Sequence, residues 1–200
     1  MQEFISSYLK EVVDIANSVS NQEIENVANE LIKVRDKGGR VFFIGVGGSA
    51  GNASHAVCDL RKLTGLECYA PSDNISELTA RTNDEGWDTI FSAWLKVSKL
   101  NQNDLIFVLS VGGGSREKNI SPGIVNALEL AKERGASIVG IIGKEEGYTR
   151  QVANASILVP IANKNHITPH SESFQTIIWH LFASLPQLKI YQTKWESQPA

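Results

Sequence analysis

The chain has few cysteines and no excess of positive charge, and it carries no long hydrophobic run. Two cysteines occur in 200 residues, Cys58 and Cys68, and they form no C-x-x-C pair. This excludes a disulfide-built scaffold and a thioredoxin-type redox centre, and both are expected to be reduced, largely buried thiols. Lysine and arginine number 19 against 22 acids, a formal charge of -3. Such a balance supplies no electrostatic footprint for nucleic acid or an anionic membrane. No apolar stretch approaches the length of a membrane span, and the N-terminal MQEFISSYLKEVVDIANS is interrupted by acids, unlike a signal peptide. The expectation is a soluble, cytoplasmic protein without long repeats or low-complexity tracts. Its 42% hydrophobic content suits one domain over 1–200.

What is present is concentrated in Arg40 to Asp59, RVFFIGVGGSAGNASHAVCD. The β-branched and aromatic run to Ile44 predicts a buried strand. Gly45 to Ala50 then predicts a turn into a helix. Gly47 and Gly48 let the backbone approach a ligand, and the free N–H groups of the helix start attract an anion, with Ser49 adding a hydroxyl. One turn on, His55 and Asp59 stand at i, i+4 and share a face.

Before this stretch, apolar spacing predicts helices over Gln2 to Val19 and Asn21 to Lys37, a hairpin covering residues 1–38. After it come a strand over Leu66 to Ala70, helices over Ile75 to Thr82 and Trp87 to Lys99, and a strand over Asp104 to Ser110. That strand too enters a glycine and hydroxyl loop, Ser110-Val-Gly-Gly-Gly-Ser115. Ser121-Pro122 opens a helix through Glu133, followed by a strand over Ser137 to Gly143. Thr149 to Ala155 predicts a short helix, Ser156 to Ile161 a fifth strand and Thr168 to Leu185 a last long helix. The tail after Pro186, with Tyr191 and Trp195, is expected to be loosely ordered or docked on a partner subunit. Nearly all-apolar strands alternating with helices predict a three-layer, doubly wound, flavodoxin-like α/β sandwich with a five-stranded parallel sheet over 39–185. Ligands of such sheets bind beyond the carboxyl ends of the strands, so the loops at 45–50 and 110–115 are expected on one edge.

Gly45-x-Gly47-x-x-Ala50 also satisfies a dinucleotide fingerprint, with Asp73 as the acid that an NAD-binding oxidoreductase would need. That scheme leaves the loop at 110–115 without a role, whereas a compact phosphate uses both loops.

The glycine-serine loop with His55, the loop Ser110 to Ser115, the run Leu78-Thr-Ala-x-x-Asn-Asp84 and the last helix with Glu172 and His180 together resemble a sugar isomerase (SIS) domain. Within that superfamily the chain is similar to the phosphoheptose (sedoheptulose-7-phosphate) isomerases along nearly its whole length. The resemblance implies a homotetramer with active sites between subunits, and a seven-carbon sugar phosphate as substrate. It places Gly47, Gly48, Ser49, Ser110, Val111, Gly112 and Ser115 at the phosphate, and Asn74 and Asp84 in the substrate region. His55, Asp59, Glu172 and His180 fall at the metal and acid–base positions, where two acids and two imidazoles suit a divalent cation such as zinc. Val111 and Gly112 replace hydroxyl residues usual in the family. Asp59 replaces a glutamate, Glu172 a glutamine and Val46 an asparagine.

Aldose–ketose isomerisation through an enediol needs a base, a proton donor to oxygen and charge stabilisation. Glu172 is the expected base and His180 the acid, with Asp59 the alternative base. A sugar-phosphate-binding regulatory module would keep the serine loops without needing this set. On one regular helix, eight residues separate the Glu172 and His180 backbones by roughly 12 Å. Either Glu172 therefore precedes the regular helix, or the site draws these residues from two subunits. His166 and His170, just before that helix, are further candidates for touching substrate, His170 ahead of His166.

Overall fold

The computed structural model describes residues 1–192. Gln2–Ser18 (α1) and Asn21–Asp36 (α2) form the helical hairpin. Ser20 caps α2 by accepting from Glu23 N–H at 3.2 Å. The Glu23 carboxylate accepts from Arg150 at 2.6 Å and from Leu158 N–H at 2.9 Å, pinning α2 to the far side of the sheet.

Arg40–Ile44 (β1) leads into Gly48–Thr64 (α3), which Gly65 ends in the left-handed conformation. Glu67–Tyr69 (β2), Ile75–Glu85 (α4) and Ile90–Val97 (α5) follow, α5 after a 3-10 turn over Trp87–Thr89. The α4 helix runs past Thr82 because Asn83, Asp84 and Glu85 keep helical geometry until Gly86 at φ 86°. Leu105–Ser110 (β3), Pro122–Arg134 (α6), Ser137–Ile142 (β4), Tyr148–Val152 (α7), Ala155–Leu158 (β5) and Ile167–Ser184 (α8) complete the fold.

The sheet is parallel with order β2-β1-β3-β4-β5. Strand side chains alternate between two cores. Val41, Phe43, Phe107 and Ile141 pack with α2, α3 and α8, while Phe42, Ile44, Ile106 and Val108 pack with α5 and α6. This is the expected three-layer sandwich. Ile44 pairs with Val108, so the loops after β1 and β3 leave the same sheet edge, beside the reversal of strand order.

Residues 187–191 dock on their own chain: Leu188 is buried, and Ile190 and Tyr191 donate backbone N–H groups to Leu63 O. Trp195 lies outside the described residues. No helix among the described residues is long and apolar enough to cross a membrane.

The two cysteines differ, contrary to the expectation of two buried thiols. Cys58 is exposed on α3, whereas burial in β2 pushes the Cys68 thiol up to about 12. A thiol-specific chromogenic reagent at pH 8 should therefore titrate one cysteine in the native protein and two in denaturant. Two fast native thiols would show that β2 opens.

Candidate active site

The site is built on α3 and α8, which pack along each other. Gly47 turns the chain out of β1 at φ 63° and Gly48 opens α3. A Cβ on Gly48 would lie 2.5 Å from Glu172 Oε2, so glycine is required for the carboxylate to sit over the helix start. Ser49 is buried in the first turn.

Across the sheet edge, Ser110 Oγ accepts from Gly113 N–H at 3.0 Å, and Ser115 Oγ accepts from Lys118 N–H at 3.2 Å. Each hydroxyl keeps its proton to donate to an anion. Two cavities adjoin this loop. One of about 290 Å³ is lined by Val111, Gly112, Lys144, Lys164 and Thr168, and one of about 470 Å³ by Gly112, Ser115, Lys144 and Tyr148.

His55, Asp59 and His180 come together, with ligand-capable atoms within 4.8 Å of one another. His55 Nε2 and His180 Nε2 each stand 3.7 Å from Asp59 Oδ2. Asp59 is nearly buried, His180 is half-buried and His55 is exposed. The buried Trp179 lies beneath both imidazoles, 4.6 Å from the His55 ring and 3.5 Å from the His180 ring between centroids. His180 Nδ1 is 2.9 Å from the Thr176 carbonyl, and as a donor to it fixes the tautomer that leaves Nε2 facing Asp59.

Glu172 lies inside the unbroken helix α8, so it does not precede the regular helix. Its carboxylate is at Gly48 rather than with the other three. The structure thus separates the four residues into a three-residue cluster and an acid at the phosphate-type loop.

Asn74 caps α4, accepting from Glu77 N–H at 3.2 Å, and lines a cavity of about 640 Å³ with Arg61, Tyr69 and Asp73. Asp84 is exposed on α4 and accepts from Asn83 at 2.8 Å. Asp73, the acid a dinucleotide site would use, accepts a hydrogen bond from Ser54 of α3.

Two residues were not legible as functional, Asn52 and Glu11. Asn52 of α3 donates to Glu172 O at 2.9 Å and to Gln175 Oε1 at 3.0 Å, and accepts from Thr176 Oγ1 at 2.8 Å. It locks together the two helices that carry the site. Glu11 meets His166 and His170, the two further substrate candidates; both imidazoles face Glu11 of α1, and His170, expected before the last helix, lies within it. Hydrogen bonds from Asn163, His170 and His166 hold the Glu11 carboxyl down to about 2.

Residues 7–143 match the SIS domain family, in agreement with a parallel sheet that presents two serine–glycine loops at one edge. The phosphoheptose isomerase of Akkermansia muciniphila is 30% identical over 198 residues, covering 96% of this chain and 99% of that protein. That of Aneurinibacillus thermoaerophilus is 28% identical, covering 98% and 99%. The solved phosphoheptose isomerase of Neisseria gonorrhoeae shares the fold with a TM-score of 0.79 at 20% identity, over 92% of this chain and 97% of that one. The chain belongs to the phosphoheptose isomerase family of SIS-domain proteins and is an isomerase.

Proposed function

We propose that the protein interconverts sedoheptulose 7-phosphate and a D-glycero-D-manno-heptose 7-phosphate type aldose in the cytoplasm. The observation that carries this reading is the convergence of His180 on His55 and Asp59, which stand on the helix that opens at the glycine-serine loop. The phosphate sits between Gly47, Gly48 and Ser49 on one side and Ser110, Val111, Gly112 and Ser115 on the other. Because residues 111 and 112 carry no hydroxyl, their backbone N–H groups and the neighbouring Lys144 and Lys164 take a larger share of the charge. Asn74 and Asp84 contact the sugar chain.

Glu172 removes the proton from the carbon next to the carbonyl. The proton returned to the neighbouring carbon completes the enediol route, with Asp59 the second candidate for base. His180 Nε2 delivers a proton to the substrate oxygen, and Asp59 balances the imidazolium. The donor set of His55, Asp59 and His180 also fits a zinc-like divalent cation, since both imidazoles present Nε2 to one carboxylate oxygen. In that state the cation supplies the positive charge for the enediolate oxygen. Glu172 would join it only by moving away from Gly48 or from a second subunit.

Assembly into a tetramer is supported by the apolar stripe of α1, where Phe4, Ile5, Leu9 and Val13 are each at least half exposed.

The test is incubation with sedoheptulose 7-phosphate in D₂O, followed by NMR, with native and chelated protein. Aldose labelled with deuterium on its α-carbon is the expected product. Loss of turnover on chelation, restored by zinc, assigns the charge to the cation, and unchanged turnover assigns it to His180. Absence of both aldose and deuterium would overturn the isomerase assignment.

A further inference from the structure

We propose that Glu11, His166 and His170 form a second cation site, for a divalent metal of the zinc, cobalt or nickel type, that ties the N-terminal helix α1 to the start of α8. His166 is the N-cap of α8 and His170 lies one turn on. The i, i+4 spacing places both imidazoles on one face, the arrangement in which a helix presents two histidines to one metal. Glu11 comes from α1 and completes a two-imidazole, one-carboxylate set, with His166 Nδ1 at 2.8 Å and His170 Nε2 at 2.7 Å from the same oxygen, Oε2. Asn163 donates to Oε1 at 2.7 Å, which orients the carboxylate as the outer partner of a metal ligand does.

Metal–ligand bonds of about 2.0–2.1 Å require neighbouring donor atoms about 3.3 Å apart in a tetrahedral site. Each nitrogen, now 2.7–2.8 Å from the carboxylate oxygen, need move away from it by only about half an ångström to admit an ion.

Hydrogen bonding alone accounts poorly for His170. Its side chain is 3% exposed, and Nδ1 is buried without a partner. An imidazole with one nitrogen orphaned in the interior carries a desolvation cost, and a metal bond at the other nitrogen offsets it better than a single hydrogen bond. Tyr8 covers the pair from above, its ring 4.5 Å from that of His170 and 5.3 Å from that of His166, which keeps water off the donors. Imidazole and carboxylate donors select borderline divalent ions over calcium or magnesium. The site is independent of the isomerase reading, because it uses none of the residues placed in the chemistry.

The experiment uses the full chain after chelation and dialysis, in a His55→Gln/Asp59→Asn background that removes the first cluster. Calorimetry with zinc chloride, and cobalt(II) absorbance, should each show one equivalent bound per chain, with zinc raising the melting temperature. Adding Glu11→Gln and His170→Gln should weaken that binding at least about 100-fold and abolish the thermal shift. His166→Gln alone, at the more exposed edge, replaces this pair if it fails to fold. No zinc or cobalt binding in the background protein, or binding unchanged by these substitutions, would leave the three residues a hydrogen-bonded clamp and overturn the proposal.

Discussion

His180→Asn is expected to lower kcat for the aldose–ketose reaction by on the order of 10²–10⁴-fold, with KM changed far less. The reason is geometric. His180 Nδ1 is engaged with the Thr176 carbonyl, and that contact aims Nε2 at Asp59. An asparagine can keep a hydrogen bond to the carbonyl but presents neither a titratable proton nor a ligand nitrogen at the position of Nε2. The phosphate loops are untouched, so ground-state binding should persist. Steady-state kinetics with an NMR or coupled readout checks this, with circular dichroism showing that α8 is intact. A variant retaining kcat within about threefold of the native value would remove His180 from the chemistry and leave Asp59 and Glu172 to carry it.

The parts of the molecule that were legible in the sequence are those whose cause is local. The run Leu105–Ser110 is apolar up to its final serine and is buried throughout, and Gly65 and Gly135 end their helices at positive φ. His55 and Asp59 were legible as a pair because i, i+4 spacing fixes their proximity whatever the fold does. His180 lies 121 residues beyond Asp59 in the chain, and only resemblance to a family placed it near. Local rules gave the separation of Glu172 and His180 correctly, since both lie on one regular helix and only His180 joins Asp59. They could not show where Glu172 goes instead, because the space at Gly48 exists only once α3 and α8 are packed. Glu11 meets His166 and His170 across separations of 155 and 159 residues. No spacing rule reaches that far, and the histidines' own i, i+4 relation was the only available signal. Cys58 was misjudged because cysteine is usually buried, whereas helical phase turns this one outward.

Asp104→Ala should cost about 3–5 kcal/mol, the range for breaking a buried ion pair from one side. Asp104 is buried at the start of β3. Its Oδ1 accepts from Arg40 N and Nε at 3.1 Å, and its Oδ2 accepts from an Arg40 guanidinium N–H at 2.7 Å and from Asn101 N and Nδ2 at 3.0 and 2.9 Å. These bonds push the Arg40 guanidinium further up from its ordinary value and join the first residue of β1 to the entry of β3. Alanine removes five acceptor contacts and leaves the half-buried Arg40 its hydrogen bonds to the carbonyls of Ser98 and Lys99 and its stacking on Phe42, with no anion among them. For a chain of this size the loss corresponds to a fall in melting temperature of order 10 °C. The pair sits at the sheet edge opposite the serine loops, so kcat and KM measured well below the melting temperature should stay near native. Replacing both partners with apolar residues, Arg40→Met with Asp104→Leu, should recover much of the loss, since no uncompensated charge remains. A single variant as stable as the native chain would show that the β1–β3 register is held by strand packing alone. A single variant that stays folded but loses activity would instead show that the register at this edge is transmitted along β1 and β3 to the loops.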